Sequence, residues 1–268
     1  MDSTNRTVWI VIAVIVVMVL LCCCIIVVGA AVAGVLYAAP AGPEIGLGQV
    51  EETTEQVLVV GDEPLLETHN FAGDITVRSG ESGEIRLIVT KRATSRNGLD
   101  RIDVDASERD GGVRVETSHP GMQTGSVSAK IEAFVPADTE LDLHTGAGNV
   151  HITGVQGPIS ARAGAGNVRV QGAAAPVTLE TGAGDIDYEG EPQSECSFDN
   201  GAGNIRLALP ADANVEIELT TGIGSVDVEG FDVAGEIDSR EAVGVIGTGE
   251  EATLKAHTGA GNVNLSPR

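Results

Sequence analysis

The chain has 268 residues, with 35 Gly, 7 aromatics, and 39 Asp and Glu against 16 Lys and Arg, a formal charge of −23. That charge excludes a nucleic-acid binder, which needs clustered cations, and so few aromatics exclude a base-stacking platform. A hydrophobic content of 42% excludes disorder throughout, and glycine without a G-X-Y period excludes collagen.

In chain order, residues 1–7 read as a short cytoplasmic N-terminus. From Thr7 to Pro43 no residue is charged. Val8–Val28 is almost purely aliphatic, enough to cross about 30 Å of hydrocarbon, so 8–37 is expected to be a single transmembrane helix in the lipid bilayer. Trp9 and Tyr37 sit where interfacial rings belong. The alternative is a cleaved signal peptide with Ala31-Val32-Ala33 as its small-x-small site. Arg6 is the sole cation before this segment, which places the N-terminus inside and the remainder outside the cell. Cys22, Cys23 and Cys24 read as membrane-buried small hydrophobes or as S-acylation sites.

Residues 38–56 are rich in Gly, Pro and acids and read as an extended tether. Residues 57–140 read as an irregular β cap and first turns. They hold strand-like runs at Val57–Val60, Asp74–Arg78, Glu84–Lys91, Arg101–Asp105, Gly112–Glu116 and Val127–Val135. Asp110-Gly111-Gly112 between two runs is a hairpin signal. Lys91, Arg92, Arg96 and Arg101 form a candidate interaction patch for an anionic partner, or a solvated loop neutralising nearby acids.

Residues 141–268 repeat themselves. The corner Gly-Ala-Gly-Asn/Asp occurs at Gly146-Ala147-Gly148-Asn149, Gly164-Ala165-Gly166-Asn167 and Gly182-Ala183-Gly184-Asp185. It recurs at Gly201-Ala202-Gly203-Asn204 and Gly259-Ala260-Gly261-Asn262, with a variant at Gly222-Ile223-Gly224-Ser225. Successive spacings are 18, 18, 19, 21 and 37, so a degenerate copy is expected within Phe231–Glu251. Four columns are apolar or small in every copy. They begin at Leu141, Leu143, Val150 and Ile152 and recur at period two. Each copy is therefore two short strands joined by a glycine corner, and stacked copies share one core.

The predicted fold is an all-β solenoid or β-roll, about 18 residues per repeat. The corner Asn is expected to bond to its copy one turn above. Stacked in sequence order, Arg169–Asp187–Arg206–Asp227 would form a ladder of opposite charges. Cys196 falls in an inward column and reads as core filler. Phe71-Ala72-Gly73-Asp74 reads as a worn copy of the corner.

No nucleophile motif accompanies His69, His119, His144, His151 or His257, so no catalysis and no cofactor are expected. The period is twice that of calcium-binding β-rolls, but the corner supplies mainly Asn rather than Asp, so no metal is expected.

The repeats, together with Val135-Pro136-Ala137-Asp138 and Leu209-Pro210-Ala211-Asp212, resemble the bacterial and archaeal "putative adhesin" domain family of unknown function. The resemblance spans about Leu65 to Leu265. It implies a glycine-corner β domain beside a membrane helix and carries no catalytic residues. The expected function is an anchored extracytoplasmic module binding an envelope or surface component. The alternative is a self-associating envelope scaffold, stacking end to end through Asn262–Leu265 as an exposed terminal strand.

Overall fold

The computed structural model describes residues 49–109, 111–119, 127–249 and 252–268. The predicted span at 8–37, the residues before it and the tether as far as Gly48 lie outside them. Among the described residues no helix is long and apolar enough to cross a membrane.

The described chain opens with β1 (Val50–Val59), β2 (Leu65–Asn70), β3 (Ile75–Ser79) and β4 (Glu84–Ala93). One helical turn, α1 (Arg96–Leu99), precedes β5 (Asp103–Arg109), β6 (Gly112–Ser118) and β7 (Val127–Val135). The regular part begins with β8 (Glu140–Ala147), β9 (Val150–Thr153), β10 (Ile159–Ala165) and β11 (Val168–Ala173). It continues with β12 (Val177–Ala183), β13 (Ile186–Gly190), β14 (Cys196–Ala202) and β15 (Ile205–Leu209). Last come β16 (Val215–Ile223), β17 (Val226–Val228), β18 (Val233–Asp238), β19 (Glu241–Ile246), β20 (Ala252–Ala260) and β21 (Val263–Pro267).

These strands build two sheets. Sheet one runs β1-β4-β7-β3-β9-β11-β13-β15-β21-β17. Sheet two runs β18-β19-β16-β20-β14-β12-β10-β8-β2-β6-β5. Each rung of the stack gives one strand to each sheet, and successive rungs pair in parallel, as Val168 does with Val150 and Ile186. Alternation sends one face of the stacked strands inward, into a single apolar core, while the edge strands β1 and β18 bury no residue. All four predicted columns are buried except Val228, half-buried on the terminal rung. Tyr188 and Phe198 meet within this core at 5.1 Å between ring centroids, and Cys196 is fully buried.

A fifth inward column, not foreseen from the sequence, holds Thr145, Ala163, Thr181, Asn200, Thr258 and Thr221, all buried. All but Ala163 bond through the side chain to the corner carbonyl of a neighbouring rung. Thr181 Oγ1 donates to the Gly166 carbonyl at 2.8 Å, and Thr258 Oγ1 donates to that of Gly203 at 2.9 Å. A backbone acceptor at the sharp corner would otherwise be left without a partner, at a cost of about 1–3 kcal/mol.

The order of rungs departs from the sequence at both ends. β2/β3 is the first rung in the chain, yet it lies between β6/β7 and β8/β9. β20/β21 is the last in the chain, yet it lies between β14/β15 and β16/β17. Three expectations are corrected by this. Asn262–Leu265 is not a free edge, because β21 is flanked by β15 and β17. Asp227 does not follow Arg206 in the charge ladder, because Asn264 stands between them. The described residues of Phe231–Glu251 hold no degenerate rung; β18 and β19 form an antiparallel hairpin that continues sheet two beyond β16.

The N-terminal part also differs. Residues 50–56, read as tether, belong to β1, which pairs antiparallel with β4 along its whole length. The hairpin signal at Asp110–Gly112 falls between β5 and β6, which pair antiparallel with Arg109 opposite Gly112, Asp110 lying outside the described residues. Residues 57–140 mix antiparallel strands with two full parallel rungs, including the worn corner at Gly73-Asp74.

Candidate functional site: the corner ladder, the outer faces and the two ends

The corner is built by close approach. A Cβ on Gly182 would lie 2.6 Å from the Gly164 carbonyl oxygen, and Gly184 turns the chain at a φ of +147° directly against Gly166. Only glycine permits both the approach and the left-handed backbone. The middle residue, Ala in most copies, points out to solvent.

The residue after the corner forms a continuous ladder, made differently from the expected amide stack. Its side-chain oxygen accepts from the backbone N–H of the next copy. Asn149 N–H donates to Asp74 Oδ1 at 2.8 Å, Asn167 to Asn149 at 3.0 Å, and Asp185 to Asn167 at 2.8 Å. Asn204 then donates to Asp185 at 2.8 Å, Asn262 to Asn204 at 3.1 Å, and Ser225 to Asn262 at 3.0 Å. Only an acceptor is needed, so Asp74 and Asp185 serve as well as Asn. The backbone N–H of Asn204 is the main cause that holds the Asp185 carboxyl below its usual range, with the Arg206 guanidinium adding to it. Ser225 ends the ladder and donates its hydroxyl to Asp227 Oδ2 at 2.8 Å.

The outer face of sheet one carries two side-chain columns. The first runs His151, Arg169, Asp187, Arg206, Asn264 and Asp227. Arg169 Nη2 lies 2.6 Å from Asp187 Oδ2, and Arg206 Nη1 bridges Asp187 at 3.0 Å and Asp185 at 3.1 Å. These hydrogen bonds, Asp187 foremost, raise Arg206 further above its usual range. His151 is pushed down, first by burial and then by the charges of Arg169 and Arg78. The second column runs Thr153, Gln171, Glu189, Ala208 and Ser266. Where Ala208 and Ser266 are short, a shallow groove of about 390 Å³ opens over β11, β13, β15, β21 and β17. Its sides are Arg169, Arg206, Glu189 and Glu229. Sheet two has a comparable outer column, in which His69 and His144 face each other at 6.0 Å between ring centroids. His257 shares a hydrogen bond with Thr220 at 2.9 Å.

The four cations of the candidate patch gather at the end of the stack bounded by β1 and β5, but they do not share a face. Lys91 and Arg92 are neighbours on β4 and so point to opposite sides of sheet one. Lys91 lines a small slot with Leu87, Val89, Val104 and Ala106. Arg92 pairs with Glu51 at 2.9 Å. Arg96 and Arg101 are exposed, on and just after α1, whose Leu99 is buried beneath them. Among the described residues no group of three or more His, Cys, Asp or Glu side chains is placed to hold a metal ion.

Two strands per rung, parallel pairing and a glycine corner on one side define a two-sheet β-solenoid. The family model for the Toastrack domain, a domain of unknown function (DUF4097), matches residues 66–266, and the chain belongs to that family. Among solved structures, the chain is similar to a "putative cell adhesion protein" from Clostridium sporogenes. There the identity is 16%, with 81% of this chain and 100% of that chain covered at a TM-score of 0.49. It is also similar to a "putative adhesin" from Bacteroides fragilis, at 13% identity, 80% and 97% coverage and a TM-score of 0.41. A "putative lipid binding protein" from Parabacteroides distasonis shares 12% identity, with 81% and 96% covered and a TM-score of 0.29. No curated protein matches the chain.

Proposed function

We propose that this protein is a non-catalytic binding module, held at the outer side of the cell membrane by 8–37, that contacts an envelope or surface component through the outer face of sheet one. The observation that supports this reading is the groove over Ala208 and Ser266, flanked by side chains repeating at one strand spacing, about 4.8 Å. Such a surface suits an extended ligand lying across the strands, because cationic and anionic side chains alternate along it from rung to rung. The uncharged run from Thr7 to Pro43 supports anchoring.

The test is retention of the full chain on isolated cell envelopes, comparing wild type with Ala208→Trp/Ser266→Trp, which fills the groove, and with Ser160→Trp on sheet two. Loss of retention in the groove variant alone supports the reading. Equal retention of all three removes the groove from binding.

A second reading, self-association into an envelope scaffold, is favoured by one observation: large exposed apolar residues gather at the two ends of the stack. Val57 and Val59 are exposed at one end, and Ile223, Ile237 and Val243 at the other, with Leu65 of the interior strand β2 at 36%. Single exposed apolar residues are ordinary, but five of these six stand where the sheets end, and a further strand or a second copy would cover them.

A further inference from the structure

The two sheets end in four edge strands, and three of these oppose further pairing. β1 is long but turns Glu52 to the inner side, opposite Lys91 and in line with the buried Val89 of β4. β5 does the same with Glu108, which stands opposite the buried Val113. A charge pointing inward from an edge must be taken out of water when another strand pairs there, which is costly. β17 has only three residues, and its Val226 N–H already donates to the Ser239 carbonyl at 3.0 Å.

β18 is the exception. It is six residues long, pairs with β19 alone and has no strand on its other side. Its inner side holds Val233, Gly235 and Ile237, without a charge, and Ile237 is 52% exposed opposite the buried Ala242. Its outer side holds Ala234, Glu236 and Asp238. Glu216, Glu218 and Glu241 share that outer face on β16 and β19, and the three strands contain no Lys or Arg. Lys255, opposite Glu218 on β20, pairs instead with Glu195 at 3.4 Å. Arg240, in the turn from β18 to β19, is the one cation between residues 210 and 251.

We infer that β18 accepts an extended segment of another protein as a further strand of sheet two, one in which basic and apolar residues alternate. Main-chain hydrogen bonds to the free edge supply the pairing. Alternate side chains of the added strand point to opposite sides, so the apolar set lies beside Val233 and Ile237 and covers them. The other set lies one strand spacing, about 4.8 Å, from Glu236 and Asp238, where Lys or Arg makes cross-strand ion pairs. A second copy of this chain does not have that chemistry. Its three longer edges bring Glu51 and Glu55 on β1, Asp103 and Asp105 on β5, or the same Glu236 and Asp238. Like charges directly opposite each other destabilise a strand pair. The inference is independent of the groove on sheet one, and it competes with self-association for this end of the stack.

The experiment uses the full chain in detergent micelles and a fluorescein-labelled peptide of alternating Lys and Val. Binding is read by fluorescence anisotropy over a range of salt concentrations. The control peptide has the same composition in two blocks, all Lys and then all Val, and is expected to bind more weakly. Ile237→Glu gives β18 the inward charge of the other long edges while adding to the acidic charge. It is expected to weaken binding about tenfold or more, whereas attraction by charge alone would grow stronger. Glu236→Gln together with Asp238→Asn is expected to weaken binding and flatten its salt dependence. Asn at 238 keeps the acceptor that the Ser239 N–H uses. All three side chains are exposed, and circular dichroism checks the fold of each variant. Slower hydrogen exchange over residues 233–238 in the presence of the alternating peptide is the direct sign of an added strand.

Absence of binding by the alternating peptide would overturn the inference, as would binding that leaves exchange at 233–238 unchanged. Equal binding of the block peptide, or tighter binding by Ile237→Glu, would reduce the contact to charge alone and overturn it as well.

Discussion

Replacing Gly182 with Ala tests the reason the corner glycines are there. Gly182 does not have a left-handed backbone, so the substitution probes space alone. The new Cβ would lie 2.6 Å from the Gly164 carbonyl oxygen, about 0.6 Å inside an ordinary carbon–oxygen contact. Relief requires β12 to move away from β10 at the corner. That movement stretches the Gly166 N–H bond to the Ala183 carbonyl, now 2.8 Å, and the Thr181 Oγ1 bond to the Gly166 carbonyl. Overpacking of this kind costs about 1–3 kcal/mol, offset by about 0.4–1 kcal/mol because alanine restricts the unfolded chain. The net loss is about 1–2 kcal/mol, or about 2–8 °C in Tm for a domain of this size. Gly184→Ala should cost more, because its φ of +147° adds about 1–3 kcal/mol of backbone strain to a closer approach. Ala183→Ser, between them and pointing to solvent, should stay within about 0.5 kcal/mol of wild type. Urea unfolding of residues 49–268 followed by circular dichroism measures all three. A Gly182→Ala loss under about 0.5 kcal/mol, or a cost for Ala183→Ser equal to that of Gly184→Ala, would refute the close-approach argument.

Other expectations follow from named contacts. A double-mutant cycle between Arg206 and Asp187 should give a coupling of about 0.2–1 kcal/mol, whereas Arg206 and Asp227, separated by the β21 strand, should give none. Coupling to Asp227 alone would instead restore stacking in sequence order. His151 has a lowered pKa in the fold, so its contribution is fully present above about pH 6.5 and is lost as pH falls through the folded value. His151→Gln should flatten the stability profile between about pH 7 and 5, and an unchanged slope would count against the burial and Arg169 effects. Asp185 is also lowered, so its contribution is lost on acidification below the ordinary carboxylate range. Asp185→Asn, which keeps the acceptor but not the charge, should remove that acid-dependent step and lower neutral-pH stability by the height of the step, with little change below it. Tyr188 buries its hydroxyl with no hydrogen-bond partner beyond the weakly accepting Cys196 thiol. Tyr188→Phe should be neutral or stabilising in thermal unfolding; a loss above about 1 kcal/mol would show that the hydroxyl is satisfied.

The local unit was legible because its causes are local. Alternation placed Leu141, Leu143, Val150 and Ile152 and their copies inward, and the paired glycines marked where the chain must turn tightly. The fifth column was less legible, since Thr145, Ala163, Thr181 and Asn200 look polar or small. The burial of the three polar ones follows only when the corner carbonyl of a neighbouring rung is seen to need a donor. The candidate patch at Lys91, Arg92, Arg96 and Arg101 was a fact of sequence proximity, and the pleat of β4 parts its first two members.

One signal in the sequence did bear on rung order. Ser225, the one corner residue without a carbonyl or carboxylate oxygen, can receive the ladder but is poorly suited to pass it on. Its rung is accordingly last in space, with the perfect corner at Asn262 inside it. Beyond that signal, period and composition determined the rung, its register and its inward face, because each depends on residues within about twenty positions of one another. Which rung lies beside which was decided only by the tertiary structure. All rungs present the same apolar columns, so neighbours are nearly interchangeable in local energy. The choice falls to connections such as the β18–β19 hairpin, which carries the chain past β16 before β20 returns between β14 and β16.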